Sequence, residues 1–420
     1  MISCRTNWAG NLTYCSSEVV EPTSAEEVAD FVRSQYRVRT LGTRHCFNEI
    51  ADTSGVHISL RQMNRIDPVD RHRNTVTLQG GARYGELCRN LDSQGYALPN
   101  MASLPHISVA GACATATHGS GELRASLAGQ VSAIQIVNGR GEIVEISRDT
   151  DADIFPGCVV NLGALGTITR LTLDVEPTYQ VRQLVYRKLP VDAVLAEFDA
   201  IQQMAASVSL FTDWCGDTIN QLWLKKLASD DMEDEETVCG ASVARSRVHP
   251  VETMGADPCT EQLGIPGPWF ERLPHFRLEF TPSVGAELQS EYLVPRESFA
   301  DAFLAISGLR ERIAPLLLIS EIRTVSADDY WMSPFYHQQC VGFHFTWKPL
   351  QNAVMALLPD IEAAIKPYNA RPHWGKLFTM PWSEVRSHYP EFAAFKSLTS
   401  QFDPICRYRN GFLNGLLGTS

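Results

Sequence analysis

This 420-residue chain lacks several features, and each absence removes a class of function. It has no surplus of basic residues: 36 Lys and Arg stand against 48 Asp and Glu, a formal net charge of −12. A nucleic-acid surface needs clustered cations, so no nucleic-acid partner is expected. Nor is there a long apolar run. The most apolar one, Ile313 to Ile319, contains Pro315 and is too short to cross a bilayer. The opening Met1-Ile2-Ser3-Cys4-Arg5-Thr6-Asn7 has no apolar core of a secretion signal, and no lipidation box closes the chain. The eleven cysteines include no CxxC pair and no Cys/His ligand spacing. Free thiols in a reducing compartment follow, with no metal site, no membrane partner and a cytoplasmic location. In that setting the sequon Asn11-Leu12-Thr13 goes unused. G-x-G-x-x-G, Walker A, G-x-S-x-G and H-E-x-x-H are all missing, which argues against a Rossmann site, a P-loop, an α/β-hydrolase and a zincin. There is no internal repeat and no low-complexity tract.

What is present reads as α+β. Hydrophobic residues at 44% and charged residues at 20% suit a globular protein with room for two domains. Ser24 caps a helix, Glu27 completes a capping box, and Val28, Phe31 and Val32 give it an apolar face. Val38 to Leu41 reads as a strand. Val76 to Gln79 is another, followed by a helix from Tyr84 to Leu91. Pro99 to His106 is a loop, because its prolines prevent regular structure. Ala133 to Val137 and Glu142 to Ile146 form a hairpin around Asn138-Gly139-Arg140-Gly141. Near Pro177 the texture changes to longer strands, Val181 to Tyr186, Ser207 to Asp213 and Gln221 to Lys225, with a helix from Val191 to Met204. The acidic residues 229–237 read as a solvated loop, and His249 to Pro268 as an irregular one. Strands are expected again at Phe276 to Thr281, Ser320 to Val325 and Val341 to Trp347. The tail from Asp403 to Leu417 reverts to the style of the first part.

Four glycine-bearing segments carry the chemical signal: Gly42-Thr43-Arg44-His45, Gly80-Gly81-Ala82, Gly111-Ala112-Cys113-Ala114-Thr115 and Leu162-Gly163-Ala164-Leu165-Gly166. Glycine lets a backbone approach a ligand closely and turn successive N–H groups toward phosphate oxygens. One such segment is only a turn; four in this order, with His45 in the first, describe a cradle. Further on, Glu321 and Arg323 lie two apart on a strand and share a face, with Ile322 directed to the core. His344 and Thr346 repeat this, with Phe343, Phe345 and Trp347 on the opposite side. A face bearing Glu, Arg, His, Thr and a nearby Lys376 can hydrogen-bond many hydroxyls.

The order of these pieces resembles the FAD-binding domain of the vanillyl-alcohol oxidase/p-cresol methylhydroxylase superfamily. The resemblance rests on Glu21-Pro22-Thr23-Ser24-Ala25-Glu26-Glu27-Val28, Gly42 to His45, Ala114 to Gly121 and Gly163-Ala164-Leu165-Gly166. Within that superfamily the chain is similar to the alditol (xylitol) oxidase branch over nearly its whole length, through Thr6 to Asn11, Leu98 to Gly111, Ser209 to Trp214, Glu321 to Thr324, His344 to Trp347 and Pro372 to Lys376.

The resemblance implies a two-subdomain FAD-binding domain over 1–178, rejoined by 390–420, and a substrate-binding cap over 179–389 with a large antiparallel sheet covered by helices. It assigns to FAD the positions Thr40, Gly42, Thr43, Arg44, His45 and Cys46; Ser103, Ser108, Gly111, Cys113, Thr115, Thr117, His118, Gly119 and Gly121; and Gly166, Ile168, His373 and Asn410. His45 matches the histidine that bonds to the 8α-methyl carbon. Arg44 departs from the pattern, since the family has glycine or a small residue there. Cys113 sits where doubly linked relatives carry a second thioether. Ser103, Glu321, Arg323, Thr346 and Lys376 match the polyol-binding positions. The implied reaction is hydride transfer from C1 of an alditol such as xylitol or sorbitol to flavin N5, with O2 reduced to H2O2. Ala102 matches the small residue that leaves room for oxygen. Lys376, Arg323 and His344 are the candidates for handling the O1 proton and charge. A monomer acting on a small polyol and O2 is expected. An aldonolactone (gulonolactone-type) oxidase or dehydrogenase of the same superfamily is the alternative.

Overall fold

The computed structural model describes residues 6–16, 18–230, 234–280 and 287–418. The helix Ala25–Ser34 starts where Ser24 accepts from the Glu27 N–H. The Glu27 carboxylate accepts from the backbone and hydroxyl of Thr23, one residue ahead of the cap. Val28, Ala29 and Val32 bury against Val38 and Ile58, which brings the strand Val38–Leu41 under the helix. That strand runs parallel to Val56–Ser59, which also pairs with Glu18–Val20.

A second sheet is antiparallel: Thr75–Gln79, Thr167–Asp174, Val131–Val137 and Ile143–Ser147. Its hairpin turns at Asn138, whose side-chain oxygen accepts from the N–H groups of Arg140 and Glu142. Such side-chain to backbone bonding is what makes Asn a turn former.

The large sheet has ten strands among the described residues. Its centre runs Gln180–Pro190, Thr218–Leu227, Ser207–Thr212, Leu317–Val325, Cys340–Trp347 and Leu288–Pro295, each antiparallel to the next. The helices Val191–Gln202, Phe299–Ser307 and Gln351–Ile365 pack with it. Phe343 stacks on Phe299, and Phe345 stacks on Trp214 and Trp347, so this face is apolar. The alternation of Phe343, His344, Phe345 and Thr346 thereby leaves His344 and Thr346 on the other face.

One expectation changes. Phe276 to Thr281 is not a strand: Phe276 makes one bridge to Cys259, then the Phe280 N–H returns to Arg277 O in a turn, and Thr281 lies outside the described residues. The strand in this region is Leu288–Pro295, whose start Leu-Gln-Ser-Glu carries too little apolar character to stand out. In the acidic run, residues 231–233 lie outside the described residues; 229, 230 and 234–236 are exposed and irregular, as expected of a solvated loop, and the Asp234 carboxylate pairs with Arg182 and Lys226.

The tail packs on the first part of the chain. Tyr408 is buried among Val28, Val38, Ile58 and Val137, and the helix Gly411–Leu417 rests on the turn Glu49–Ala51. Arg39 ties these pieces together. It is 3% exposed and donates to Ile50 O at 2.8 Å, Leu162 O at 2.6 Å, Gly163 O at 2.7 Å and Tyr408 O at 3.1 Å. Burial lowers the guanidinium to about 10, so it stays charged at neutral pH. Replacing Arg39 with Met would strand four carbonyls in the interior. Chemical denaturation of Arg39→Met should show a loss of about 3 kcal/mol or more; a loss below about 1 kcal/mol would mean that the carbonyls find other partners.

Candidate active site

One cavity of about 1140 Å³ joins the glycine-bearing loops to the polar face of the large sheet. It exceeds the roughly 300–1,000 Å³ of an ordinary small-molecule pocket. Of the positions assigned to a cofactor, Thr40, Gly42, Thr43, Arg44, His45, Cys46, Ser103, Ser108, Gly111, Thr115, Thr117, His118, Gly166, Ile168 and His373 line it. Ala102, Glu321, Arg323, His344, Thr346 and Lys376 line it too.

Four assigned positions do not. Cys113 is fully buried on the short helix Val109–Ala114, with its sulfur against the Tyr84 hydroxyl and Leu127 O. Burial pushes its thiol up to about 12. On this helix Cys113 turns into the core while Gly111, Ala112 and Ala114 meet the cavity. Asn410 caps the last helix and donates to the carbonyls of Glu49, Ile50 and Asp52, so it braces the His45 side from behind. Gly119 is set against Asn100 and Met101, and Gly121 bridges to Val325. Both shape the loop without reaching the cavity wall.

The strand Val38–Leu41 delivers the chain to Gly42. A Cβ on Gly42 would lie 2.9 Å from Ser108 Oγ, and one on Gly111 2.8 Å from the same atom. Glycine at both positions lets the two loops close on one serine and leaves the wall open to a ligand. Arg44 has φ +66°, the left-handed region that favours glycine. Its guanidinium donates outward to Thr6 O, and its carbonyl accepts from the Trp8 N–H. The N-terminal segment thus holds an arginine in a glycine conformation and takes its charge away from His45. The half-buried His45 ring stacks on Trp8 with centroids 5.1 Å apart, and its Nδ1 is 3.1 Å from Thr43 Oγ1. Desolvation, with His106 adding to it, pushes His45 down to about 4 and keeps the imidazole neutral at neutral pH.

The next residues fasten this loop to the one that carries Lys376. Phe47 N–H donates to Gly375 O, and Asn48 Nδ2 donates to the carbonyls of Trp374 and Lys376, both at 2.8 Å. Lys376 then reaches Glu291, Nζ to Oε2 2.7 Å.

Glu291 was not foreseen from the sequence. It is 1% exposed and sits on Leu288–Pro295, directly across from His344, which in turn faces Glu321. Three adjacent strands therefore set Glu291, His344 and Glu321 in one row. Arg323 Nη2 crosses to Glu291 Oε1 at 2.9 Å. A Cβ on Gly342 would lie 3.2 Å from that oxygen. His118 Nε2 approaches the same oxygen at 3.2 Å. Burial alone would raise the Glu291 carboxyl, but Lys376, His118 and Arg323 overcome it and hold it well below the usual carboxylate range. Glu321 is treated alike: Arg323 and His275 outweigh burial, with His275 Nε2 2.7 Å from Oε1. Burial, reinforced by Arg323 and opposed by Glu291, lowers Lys376. Burial and the neighbouring Lys376 bring His344 to about 4, and His344 Nε2 has no hydrogen-bond partner within the described residues. Arg323 Nη1 is also 3.4 Å from Ser103 Oγ. Gln289 and Glu291 line the cavity, alternating with the buried Ser290 and Tyr292.

Known proteins resemble this chain over most of its length. Residues 16–147 match the family described as FAD binding domain, and residues 286–416 the family described as D-arabinono-1,4-lactone oxidase. An alditol oxidase of Streptomyces sp. is 44% identical over 99% of this chain and 100% of its own length. The chain belongs to the alditol oxidase family. L-gulono-1,4-lactone dehydrogenase of Mycobacterium tuberculosis, a more distant relative, is 25% identical over 98% of each chain. The crystal structure of cholesterol oxidase from B. sterolicum superposes with a TM-score of 0.78 at 14% identity, covering 98% of this chain and 96% of that one. The family therefore has the vanillyl-alcohol oxidase type of fold here, as its FAD-binding segment and large antiparallel sheet indicate. Among the described residues no helix is long and apolar enough to cross a membrane.

The cavity fits FAD. Two glycines close on Ser108 where side chains would block a ligand, the volume admits a dinucleotide beside a small substrate, and a neutral histidine stands in the wall. With Cys113 turned away, Cys113→Ser should keep its flavin absorbance and its flavin-to-protein ratio. A loss of flavin on that substitution would contradict the placement of its sulfur.

Proposed function

We propose that the chain is an FAD-dependent oxidase of alditols, converting the C1 primary hydroxyl of xylitol or sorbitol to the aldehyde. One observation carries the reading: a buried row of Glu291, His344 and Glu321, crossed by Arg323 and Lys376, opens on the same cavity as the FAD loops. Two carboxylates balance two cations, so the site is polar without being strongly charged. Such a wall suits a neutral, hydroxyl-rich substrate. The kinship with the Streptomyces alditol oxidase supports the same class.

Bound FAD supplies the acceptor for the C1 hydride and passes the electrons to O2, giving H2O2. The protein's own residues deal with the alcohol. Glu321 accepts hydrogen bonds from hydroxyls, and Ser103, Gln289 and Thr346 can donate or accept. His344 offers an unpartnered, neutral Nε2, which makes it the better base for the O1 proton. Lys376 is tied to Glu291, so its part is with Arg323, stabilising negative charge at O1 as the proton leaves. His45 is the residue for a covalent link to the 8α-methyl carbon. A neutral imidazole, hydrogen-bonded at Nδ1 to Thr43, would be a competent nucleophile for that bond.

The same reading divides the chain into an FAD-binding domain, 1–178 with 390–420, and a cap, 179–389. It places a monomer in the cytoplasm. The match of residues 286–416 to a lactone oxidase family favours one alternative, oxidation of an aldonolactone.

Two assays on the purified protein decide these points. Xylitol and sorbitol should release H2O2, and gulono-1,4-lactone should release little; the reverse order would establish the lactone reading. After acid precipitation the yellow colour should stay in the pellet. Release of all flavin into the supernatant would rule out the His45 bond.

A further inference from the structure

Behind the Glu321 carboxylate lies a side chain that none of these steps uses. Lys225, on the strand Thr218–Leu227, is 1% exposed and lies off the cavity wall. Lysine is almost never fully buried unless paired, because an ammonium loses its hydration. Here it is met by three acceptors: Leu273 O, Pro274 O at 3.1 Å and His275 Nδ1 at 3.1 Å. Three acceptors use all three protons of an ammonium.

The direction of these bonds is set by what each group can do. An ammonium only donates, so His275 Nδ1 must accept. The ring proton of a neutral imidazole then sits on Nε2, which is 2.7 Å from Glu321 Oε1. An ionised carboxylate only accepts, so Nε2–H donates to it. Burial, with Lys225 adding to it, lowers His275 to about 4, so the ring is neutral at neutral pH and its tautomer is a real choice. Burial lowers Lys225 to about 7, so the ammonium form prevails below that value. The ring is also gripped: Phe211 and Trp223 meet it edge-on at 5.4 and 5.3 Å, and its backbone N–H donates to Ser103 O.

We propose that Lys225 and His275 are positioning residues: the lysine fixes the imidazole tautomer, and the imidazole holds the Glu321 carboxylate toward the substrate hydroxyls. The proposal rests on the reading of Glu321 as a substrate-binding carboxylate. Besides His275, Glu321 faces Arg323 on its own strand and His344 on the next, with Lys376 reaching in from the loop beyond and Lys225 behind. Removing Lys225 withdraws a cation and frees His275 to turn its proton the other way. Both changes loosen the hold on the Glu321 carboxylate, so the substrate hydroxyls would meet a less well placed acceptor.

The test has two arms on the flavin-loaded enzyme. The first is nitrogen NMR of histidine-labelled protein at about pH 6, below the Lys225 value, with His275→Gln identifying the signal. His275 should carry its proton on Nε2 in the wild type and become a mixture of tautomers in Lys225→Met. The second is the split between kcat and KM for xylitol at the same pH. In Lys225→Met and in His275→Phe the KM should rise by about tenfold with kcat changed far less, and the double variant should rise no further than His275→Phe. His275→Gln, whose amide can still donate to Glu321, should recover part of the affinity. A wild-type ring protonated on Nδ1, or an unchanged KM in Lys225→Met with intact flavin absorbance, would overturn the proposal. The wild-type spectrum decides the tautomer even where Lys225→Met does not fold. Failure of the wild type to oxidise any alditol would instead count against the proposed function, and the NMR arm would still stand.

Discussion

The structure turns on a carboxylate that has no contact with water. Glu291 sits in the large sheet where an unpaired charge would cost several kcal/mol, and it is stable there because Arg323, Lys376 and His118 all reach it. That requirement fixes much else. The strands Leu288–Pro295, Cys340–Trp347 and Leu317–Val325 must keep one register, since a slip by one residue would turn the charged row into the apolar core. Gly342 leaves room for the carboxylate, since a Cβ there would lie 3.2 Å from Glu291 Oε1. The loop bearing Lys376 must stay close to the sheet, and the His373 N–H bond to Glu291 O and the Leu377 N–H bond to Gln289 O keep it there.

The same loop explains how the two halves of the cavity come together. Asn48 and Phe47 follow His45 almost at once, and both bond to the backbone of Trp374 to Lys376. A residue facing the cofactor side and a residue facing the substrate side are thereby held on one piece of hydrogen-bonded backbone. Arg39 performs the matching task beneath, joining the turn after His45 to the Leu162–Gly163 loop and to the tail at Tyr408. Precise placement of reacting groups depends on such supporting contacts more than on the groups themselves.

Much of this was legible in the sequence where the signal is local. The cap at Ser24, the strand Val38–Leu41, the Asn138 hairpin and the strands holding Glu321 and His344 follow from turn chemistry and alternation, with their ends extended by sheet pairing. The positions of Glu321, Arg323, His344 and Thr346 on one face follow from the period of two. What was not legible depends on distant partners. Glu291 looks like a surface residue in Leu-Gln-Ser-Glu-Tyr, and distant partners make its burial tolerable: Arg323 and Lys376, 32 and 85 residues further on, and His118 far upstream. Lys225 and His275 are 50 residues apart and meet only where the irregular segment at His275 lies against the strand Thr218–Leu227. Cys113 and Asn410 sit in segments that do border the site, but helix rotation in one case and capping in the other turn their side chains away. The expected glycine before His45 is an arginine, and its left-handed backbone keeps the shape of the turn while the side chain departs.

The account stands or falls on whether the Glu291 cluster serves the oxidation of the alcohol as well as the fold. The direct measurement is the rate at which xylitol bleaches the flavin in the absence of oxygen, in the wild type and in Glu291→Gln. A neutral amide leaves Arg323 and Lys376 repelling each other and releases Lys376 from its place. The rate should fall by about 100-fold with the flavin content unchanged. A variant that binds flavin and bleaches at the wild-type rate would show that the buried charges hold the sheet together and do nothing for the reaction.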